Sequence, residues 1–272
     1  MKKAYLIYLT IIVVTLSSFV FLLPEESNND HEQKTEELYY KLKLGWFTLG
    51  SGRVKIEYNS MNISGSNYHR VFAHASTLGL GNWLSNLDDN YSALIHHETA
   101  KSFNSYKNVT AGDSRWEQWN NFDYDSMKVN VKIKDFRKED PEMNWSVDMN
   151  PKTYDILGTF LFFKNHNWDA MNTGDSIMIY TLYERKLYRV GMHYKGIEKL
   201  NVSGNKVDAH KMHLLIPDQK KLKKDRPVVI WISTDENHYP LKIFSKLFIG
   251  SARCELHTVN AKEPMFTNQA QD

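Results

Sequence analysis

Cysteine is almost absent from this sequence, because the 272 residues contain only Cys254. An intramolecular disulfide needs two cysteines, so the fold has to be stabilised by its core alone. Cys254 lies two residues from Ala252 and two from Leu256, which is the spacing of one strand face. This spacing predicts a buried thiol that takes no part in chemistry.

A basic excess is also missing. The formal net charge is +2, and Lys2 and Lys3 at the amino terminus account for it, so the remainder of the chain is neutral. Proteins that bind nucleic acids draw most of their affinity from a basic surface that neutralises phosphates. The composition therefore excludes nucleic acid as an expected partner.

The common catalytic motifs are absent as well. The chain has no Gly-x-Ser-x-Gly elbow, no phosphate-binding loop and no dinucleotide fingerprint. Histidines occur in pairs at His96 and His97 and at His210 and His213, but residues one or three apart on a strand point to opposite faces. Neither pair can chelate a metal by itself, so we predict no catalytic residue, no metal ligand and no cofactor.

The amino-terminal segment, residues 1–23, is two lysines followed by an uncharged apolar run. It fits a secretory signal peptide with a small-residue site near Ser17, and it is also long enough to be a membrane anchor. Either alternative exports the rest of the chain, because the lysines favour the cytoplasmic side. We expect a periplasmic protein, or one anchored to the membrane and facing the periplasm, after a flexible linker at residues 24–36.

Alternation with a period of two dominates residues 37–259, which we treat as a single β-rich domain followed by a disordered tail at 260–272. The stretch MKVNVKIK at 127–134 is the clearest case, with one apolar and one charged face. Strands follow one another across short turns, a pattern typical of antiparallel meanders. We predict a mainly β fold in which about 10–12 strands form a large sheet that curls into a barrel or half-barrel.

Helical spacing appears in two places, which predicts one or two short helices. Asn150 and Pro151 have the pattern of a cap and first turn, leading into apolar residues from Tyr154 onward. A second short helix is expected at 78–87. Two strands, at 176–183 and 228–232, are apolar on both sides, so both of their faces must be covered.

A cluster of polar residues follows the second of these strands in the sequence WISTDENHYP. Asp235 and Asn237 are residues that bond to their own backbone in turns, and Pro240 suits the start of a strand. The stretch therefore predicts a hairpin turn. Glu236 and His238 have no role in such a turn and remain candidates for chemistry.

Aromatic side chains could line a groove for an acyl chain or a carbohydrate, although aromatics on half-buried strands also serve as ordinary packing partners. The residues expected to bind such a ligand are Trp46, Phe47, Trp116, Trp119 and Tyr180.

Four segments resemble the family called domain of unknown function 3108, a family of exported bacterial proteins. These are EELYYKLKLGWFTLGSGRVKIEY, YDILGTFLFFKN, the region from GDSIMIYTLYERKLYRVGMHY to KMHLLIP, and IWISTDENHYPLKIFSKLFIGSARCELHTV. The resemblance implies an envelope location and antiparallel strands curling towards a barrel, but it implies no activity, site residue or cofactor. Lys164 stands where the resemblance leads us to expect an arginine, whose bidentate contacts a lysine cannot reproduce.

Three functions remain open. The first is non-enzymatic binding of an apolar or lipid-like ligand in the barrel, and the second is a structural or interaction role among envelope proteins. The third is a glycan hydrolase using some of Asp123, Asp125, Asp235 and His238. The hydrolase requires two carboxylates about 5–10 Å apart in one cleft.

Overall fold

A computed structural model describes residues 34–79, 86–139, 141–202, 205–215, 227–247 and 250–260. The expected leader at 1–23, residues 24–33 of the expected linker, residues 80–85 of the second expected helix and the tail after residue 260 lie outside these residues. Among the described residues, no helix combines the length and apolarity needed to cross a bilayer.

The described chain forms one sheet of fifteen strands. The strands are β1 (Thr35–Leu44), β2 (Phe47–Ile63), β3 (Ser66–Thr77), β4 (Leu87–His96), β5 (Ser102–Ala111), β6 (Ser114–Asp123), β7 (Lys128–Asp135), β8 (Glu142–Asp148), β9 (Thr153–Tyr154), β10 (Ser176–Tyr183), β11 (Lys186–Val202), β12 (Asn205–Leu215), β13 (Val228–Ser233), β14 (Pro240–Lys246) and β15 (Ser251–Val259). The helix α1 (Ile156–Lys164) and a 3-10 turn (Trp168–Ala170) lie between β9 and β10.

The sheet is the expected antiparallel meander. Its order is β8-β7-β6-β5-β4-β3-β2-β1-β15-β14-β13-β12-β11-β10-β9, so the first and last strands pair at its centre. Of the described strands, the short β9 alone is parallel to its neighbour. The strands beyond the expected 10–12 include β8, whose alternation follows the period of two and could have been recognised, and β9, which is too short to leave a pattern.

The sheet curls until its two ends touch, without a backbone ladder to close it among the described residues. Leu182 of β10 packs with Phe122 of β6 and Val129 of β7. The side-chain amide of Gln118 donates to the carbonyl of Glu184 at 2.9 Å, which ties β6 to the β10–β11 turn. The half-barrel alternative therefore describes the fold better than a closed barrel.

Helix α1 exists, but it begins later than the sequence suggested. Asn150 belongs to a turn in which its backbone oxygen accepts the Thr153 backbone N–H at 3.0 Å. Tyr154 lies in β9 rather than in the helix. Asp155 is the N-cap, and its carboxylate accepts the Gly158 backbone N–H at 2.6 Å. The cap at Asn150 was wrong because strand pairing with β10 takes up the next residues before a helix can start.

The helix fits closely against the inside of the sheet. A Cβ at Gly158 would lie 2.7 Å from the backbone oxygen of Ala100 and 2.8 Å from Oγ of Ser102, so only glycine permits this approach. The Ser102 hydroxyl also donates to the buried Asp155 carboxylate. These contacts fix the amino-terminal end of α1 to the start of β5.

The larger of two hydrophobic clusters among the described residues occupies the space that the sheet encloses. It joins inward side chains of the strands on both sides of the β1–β15 pair to α1 and to Trp168, which is fully buried. Every residue of β13 is buried, which confirms that both faces of this strand are covered. Cys254 is buried in the same core, and burial raises the pKa of its thiol, as expected for an inert cysteine.

A buried ion pair fixes the carboxyl-terminal end of α1. Nζ of Lys164 lies 3.2 Å from a carboxylate oxygen of Glu36, and these side chains are only 5% and 6% exposed. The same ammonium donates to the backbone oxygen of Asn237 at 2.9 Å. Strand β1 begins at Thr35, inside the expected linker. Lys164 therefore links the first residues of β1 to the helix and to the β13–β14 turn.

Replacing Lys164 by methionine should lower the free energy of unfolding by about 3–5 kcal/mol, because Glu36 would remain buried without its counter-charge. Lys43→Met is the matched control, since Lys43 pairs with Glu255 in a partly exposed bridge and should cost no more than about 1 kcal/mol. Urea unfolding measures both. Equal losses in the two variants would contradict a structural role for the buried pair.

Candidate functional site

A groove runs across the outer face of the sheet from β2 to β8. Its floor is a row of residues directly opposite one another on successive strands, and a second row lies beside it. The first row is Phe72, Ser92, Tyr106, Trp119, Lys132 and Asn144. The second row is Arg70, Leu94, Asn104, Asn121 and Asn130.

The dimensions of the groove suit an extended ligand. Six strands spaced about 4.8 Å apart give the first row a length of about 24 Å. The groove has a volume of about 830 Å³, within the range usual for small-molecule sites. At one end the tip of the β2–β3 hairpin contributes Met61 and Ile63, after an irregularity in β2 between Glu57 and Met61 that shifts the register.

The groove combines apolar surface with positive charge. Three of its side chains, Met61, Phe103 and Trp119, are large hydrophobic groups with 36–39% of their surface exposed. Its charged lining residues are Arg70 and Lys132, whereas none of the described side chains that line it is a carboxylate. Glu57 and Glu142 pair with these cations from outside the groove, at 3.9 and 2.8 Å.

The outer face of the other half of the sheet is covered by charged side chains. The Trp231 indole donates to Glu198 at 2.7 Å, and the ammonium groups of Lys211 and Lys242 lie 5.9 Å from its rings. Lys211 also pairs with Glu198 at 2.8 Å. Charged side chains therefore cover the apolar surface here, and in the groove the ammonium group of Lys132 lies at a similar distance, 5.8 Å, from the ring of Trp119.

The structure separates the aromatic residues that were expected to bind a ligand. Only Trp119 lines the groove. Trp46 and Phe47 lie at the β1–β2 turn, 83% and 51% exposed, and stack edge to face on each other. Trp116 faces the interior, and Tyr180 lies in β10 away from the groove.

Trp116 belongs to an aromatic cage around a buried lysine. Nζ of Lys107 lies 4.3 Å from the ring of Trp116, 4.5 Å from that of Tyr183 and 5.1 Å from that of Tyr91. Burial lowers the pKa of Lys107, and the nearby charges of Glu184 and Asp89 oppose this effect. Burial also raises the pKa of Asp89. The cage is occupied by the protein's own cation.

The sequence WISTDENHYP forms the expected hairpin turn between β13 and β14. The Asp235 carboxylate accepts the Asn237 backbone N–H at 2.9 Å, and Pro240 begins β14. Asp123 plays the same part in the β6–β7 turn, where it accepts the backbone N–H groups of Asp125 and Ser126, each at 3.0 Å. The carboxylates proposed for a glycan hydrolase are thus exposed, with Asp123 and Asp125 in one turn and Asp235 in another, and none of them lines the groove.

Most of the described sheet matches one known protein family. The family described as "Protein of unknown function (DUF3108)" matches residues 37–257. The chain belongs to this family. None of the curated proteins matches the chain.

A solved structure shares the fold of this DUF3108 member. It is described as a "Beta-barrel-like Protein of Domain of Unknown Function DUF1849 from Brucella abortus". The similarity has a TM-score of 0.52 at 10% sequence identity and covers 84% of this chain and 98% of the other. At this identity the likeness concerns the fold alone, and it agrees with the curled sheet.

The Lys107 cage gives a pH-dependent expectation. Because the pKa of Asp89 is about 7 in the folded protein and near 3.8 when unfolded, the folded state binds more protons between these values. The contribution of Asp89 to stability therefore falls as pH rises from about 4 to about 7.

Asp89→Asn removes this loss, so the free energy of unfolding of this variant relative to the wild type should increase over that window. Urea titrations at several pH values test this, with the exposed Asp113→Asn as control; a constant difference between Asp89→Asn and wild type would contradict it.

Proposed function

We propose that this protein is an exported, non-enzymatic envelope protein that binds an extended acyl chain with an anionic head in the groove between β2 and β8. The observation that carries the proposal is the row from Phe72 to Asn144, which places exposed aromatic surface and basic groups along one continuous path. The interior suits this role less well, because α1 and the inward side chains already fill the core.

The apolar part of the groove supports binding of an acyl chain. Large hydrophobic side chains that stay partly exposed in a folded protein are a source of binding energy when they cluster. Met61, Phe103 and Trp119 cluster in this way around the more deeply buried Phe72 and Leu94. Covering such surface contributes about 25 cal/mol per Å² of apolar area removed from water.

The charges support an anionic head group. Arg70 lies on β3 and Lys132 on β7, so a cation is present towards each end of the groove. A carboxylate or phosphate at either end of an acyl chain would meet a cation, which it would share with Glu57 at Arg70 or with Glu142 at Lys132. The ligand is therefore an amphipathic lipid or a free fatty acid in chemical class.

The location rests on the sequence. The uncharged run after Lys2 and Lys3 supports export to the periplasm, either free or held at the membrane. Recovery of the chain in the cytosol after fractionation of producing cells would contradict this part of the proposal.

An envelope glycan is a second candidate ligand. Asn104, Asn121 and Asn130 lie opposite one another on β5, β6 and β7, and all three are exposed. Their amides can donate to and accept from sugar hydroxyls, while Trp119 offers an aromatic face for stacking. The apolar floor favours the acyl chain, and the binding experiment distinguishes the two.

Trp119→Ala should weaken binding of palmitate about tenfold or more, because the substitution removes the largest exposed apolar surface of the groove. Titration of the protein with palmitate, followed by calorimetry, measures the effect. Trp46→Ala is the matched control, since Trp46 is 83% exposed and does not line the groove, and it should bind as the wild type does.

Two further measurements sharpen this experiment. Lys132→Gln should weaken palmitate more than the corresponding alcohol, because only palmitate carries the negative charge. An absence of saturable palmitate binding, or equal losses for Trp119→Ala and Trp46→Ala, would overturn the proposal. Binding of peptidoglycan fragments in place of palmitate would reassign the groove to a glycan.

A further inference from the structure

Three potential metal ligands converge from three separate elements, and none of them lines the groove. They are Asp169 of the 3-10 turn, His210 of β12 and His238 of the β13–β14 turn. One ligand atom from each lies within 4.8 Å of the other two. We infer that Asp169, His210 and His238 bind a divalent transition-metal ion, with Zn²⁺ as the best match.

His210 is held in the orientation that a ligand needs. Its side chain is fully buried, and its Nδ1 lies 2.9 Å from the Tyr194 hydroxyl oxygen. When Nδ1–H donates to that oxygen, the lone pair of Nε2 points towards Asp169. Metal-binding histidines usually have such a hydrogen bond on their other ring nitrogen.

The second ring nitrogen of His210 has no hydrogen-bond partner although it is buried. A buried polar atom without a partner is uncommon in folded proteins and calls for a ligand. Nε2 lies 3.5 Å from Oδ1 of Asp169. Two ligands bound to one Zn²⁺ at about 2.0–2.1 Å in tetrahedral geometry would be separated by about 3.3 Å, so the observed distance is close to that of a shared ion.

His238 is held beside His210 by an uncommon backbone conformation. Its φ angle is +45°, in the left-handed region that residues with a side chain rarely adopt. The hydrogen bond from its backbone N–H to the backbone oxygen of Asp235, at 3.1 Å, fixes this conformation within the turn. The rings of His210 and His238 are 6.1 Å apart between centroids, at an angle of 77°.

The ligand set indicates the class of metal. Two imidazoles and one carboxylate suit Zn²⁺ and its transition-metal neighbours rather than Ca²⁺ or Mg²⁺, which prefer oxygen ligands alone. The Asp169 side chain is 68% exposed, so the cluster is open to solvent on one side. Three protein ligands and an open fourth position are the arrangement in which zinc also holds a water molecule.

The experiment measures zinc binding by the full chain after a chelator has removed metal. Competition with a chromophoric zinc chelator should give one ion per chain, and Asp169→Asn and His238→Ala should each weaken binding at least tenfold. His213→Ala is the matched control, because His213 lies on the same strand as His210 but on its opposite face. It should bind zinc as the wild type does.

Two variants separate ligation from folding. Asp169 is exposed, so Asp169→Asn should keep the thermal unfolding temperature of the metal-free protein while it loses zinc. Tyr194→Phe should lower zinc affinity about tenfold through the orientation of His210. Absence of a stoichiometric ion in the wild type, or equal affinity in wild type, Asp169→Asn and His238→Ala, would overturn the assignment.

Discussion

The contact of Lys164 with Glu36 and with the Asn237 carbonyl joins three parts of the chain that are far apart in sequence. It fixes the end of α1 against the first residues of β1, and it holds the β13–β14 turn beside both. A buried charge must keep its partners, so these segments cannot separate without a large cost. The position of His238, one residue after Asn237, depends on the same contact. The sequence resemblance suggested arginine at this position, and here lysine forms the pair with a single ammonium group.

The helix anchored in this way determines where a ligand can bind. With Asp155 fixed to Ser102 at one end and Lys164 fixed to Glu36 at the other, α1 lies inside the curl and takes part in its core. An apolar ligand in the interior would have to displace this core. The outer face between β2 and β8 offers a path that already exists, since the side chains that alternate with the core residues leave aromatic surface exposed there.

Much of the fold could be predicted from the sequence, because a period of two assigns strand residues to faces without knowledge of their partners. The turn at Asp235 was predictable for the same local reason, from residues that bond to their own backbone. The groove was not, because its rows depend on the register of six strands, and irregularities such as the one between Leu94 and Ile95 shift that register. Asp169, His210 and His238 lie on separate elements, so no spacing in the sequence could reveal their convergence.

We propose that the outer groove, and not the interior, receives an apolar ligand. Fluorine NMR of protein labelled with 5-fluorotryptophan tests it most directly, because Trp119 lines the groove and Trp168 is fully buried in the core. On addition of palmitate, we expect the Trp119 signal to shift with saturation while the Trp168 signal stays in place. A shift of Trp168 with an unchanged Trp119 would contradict it.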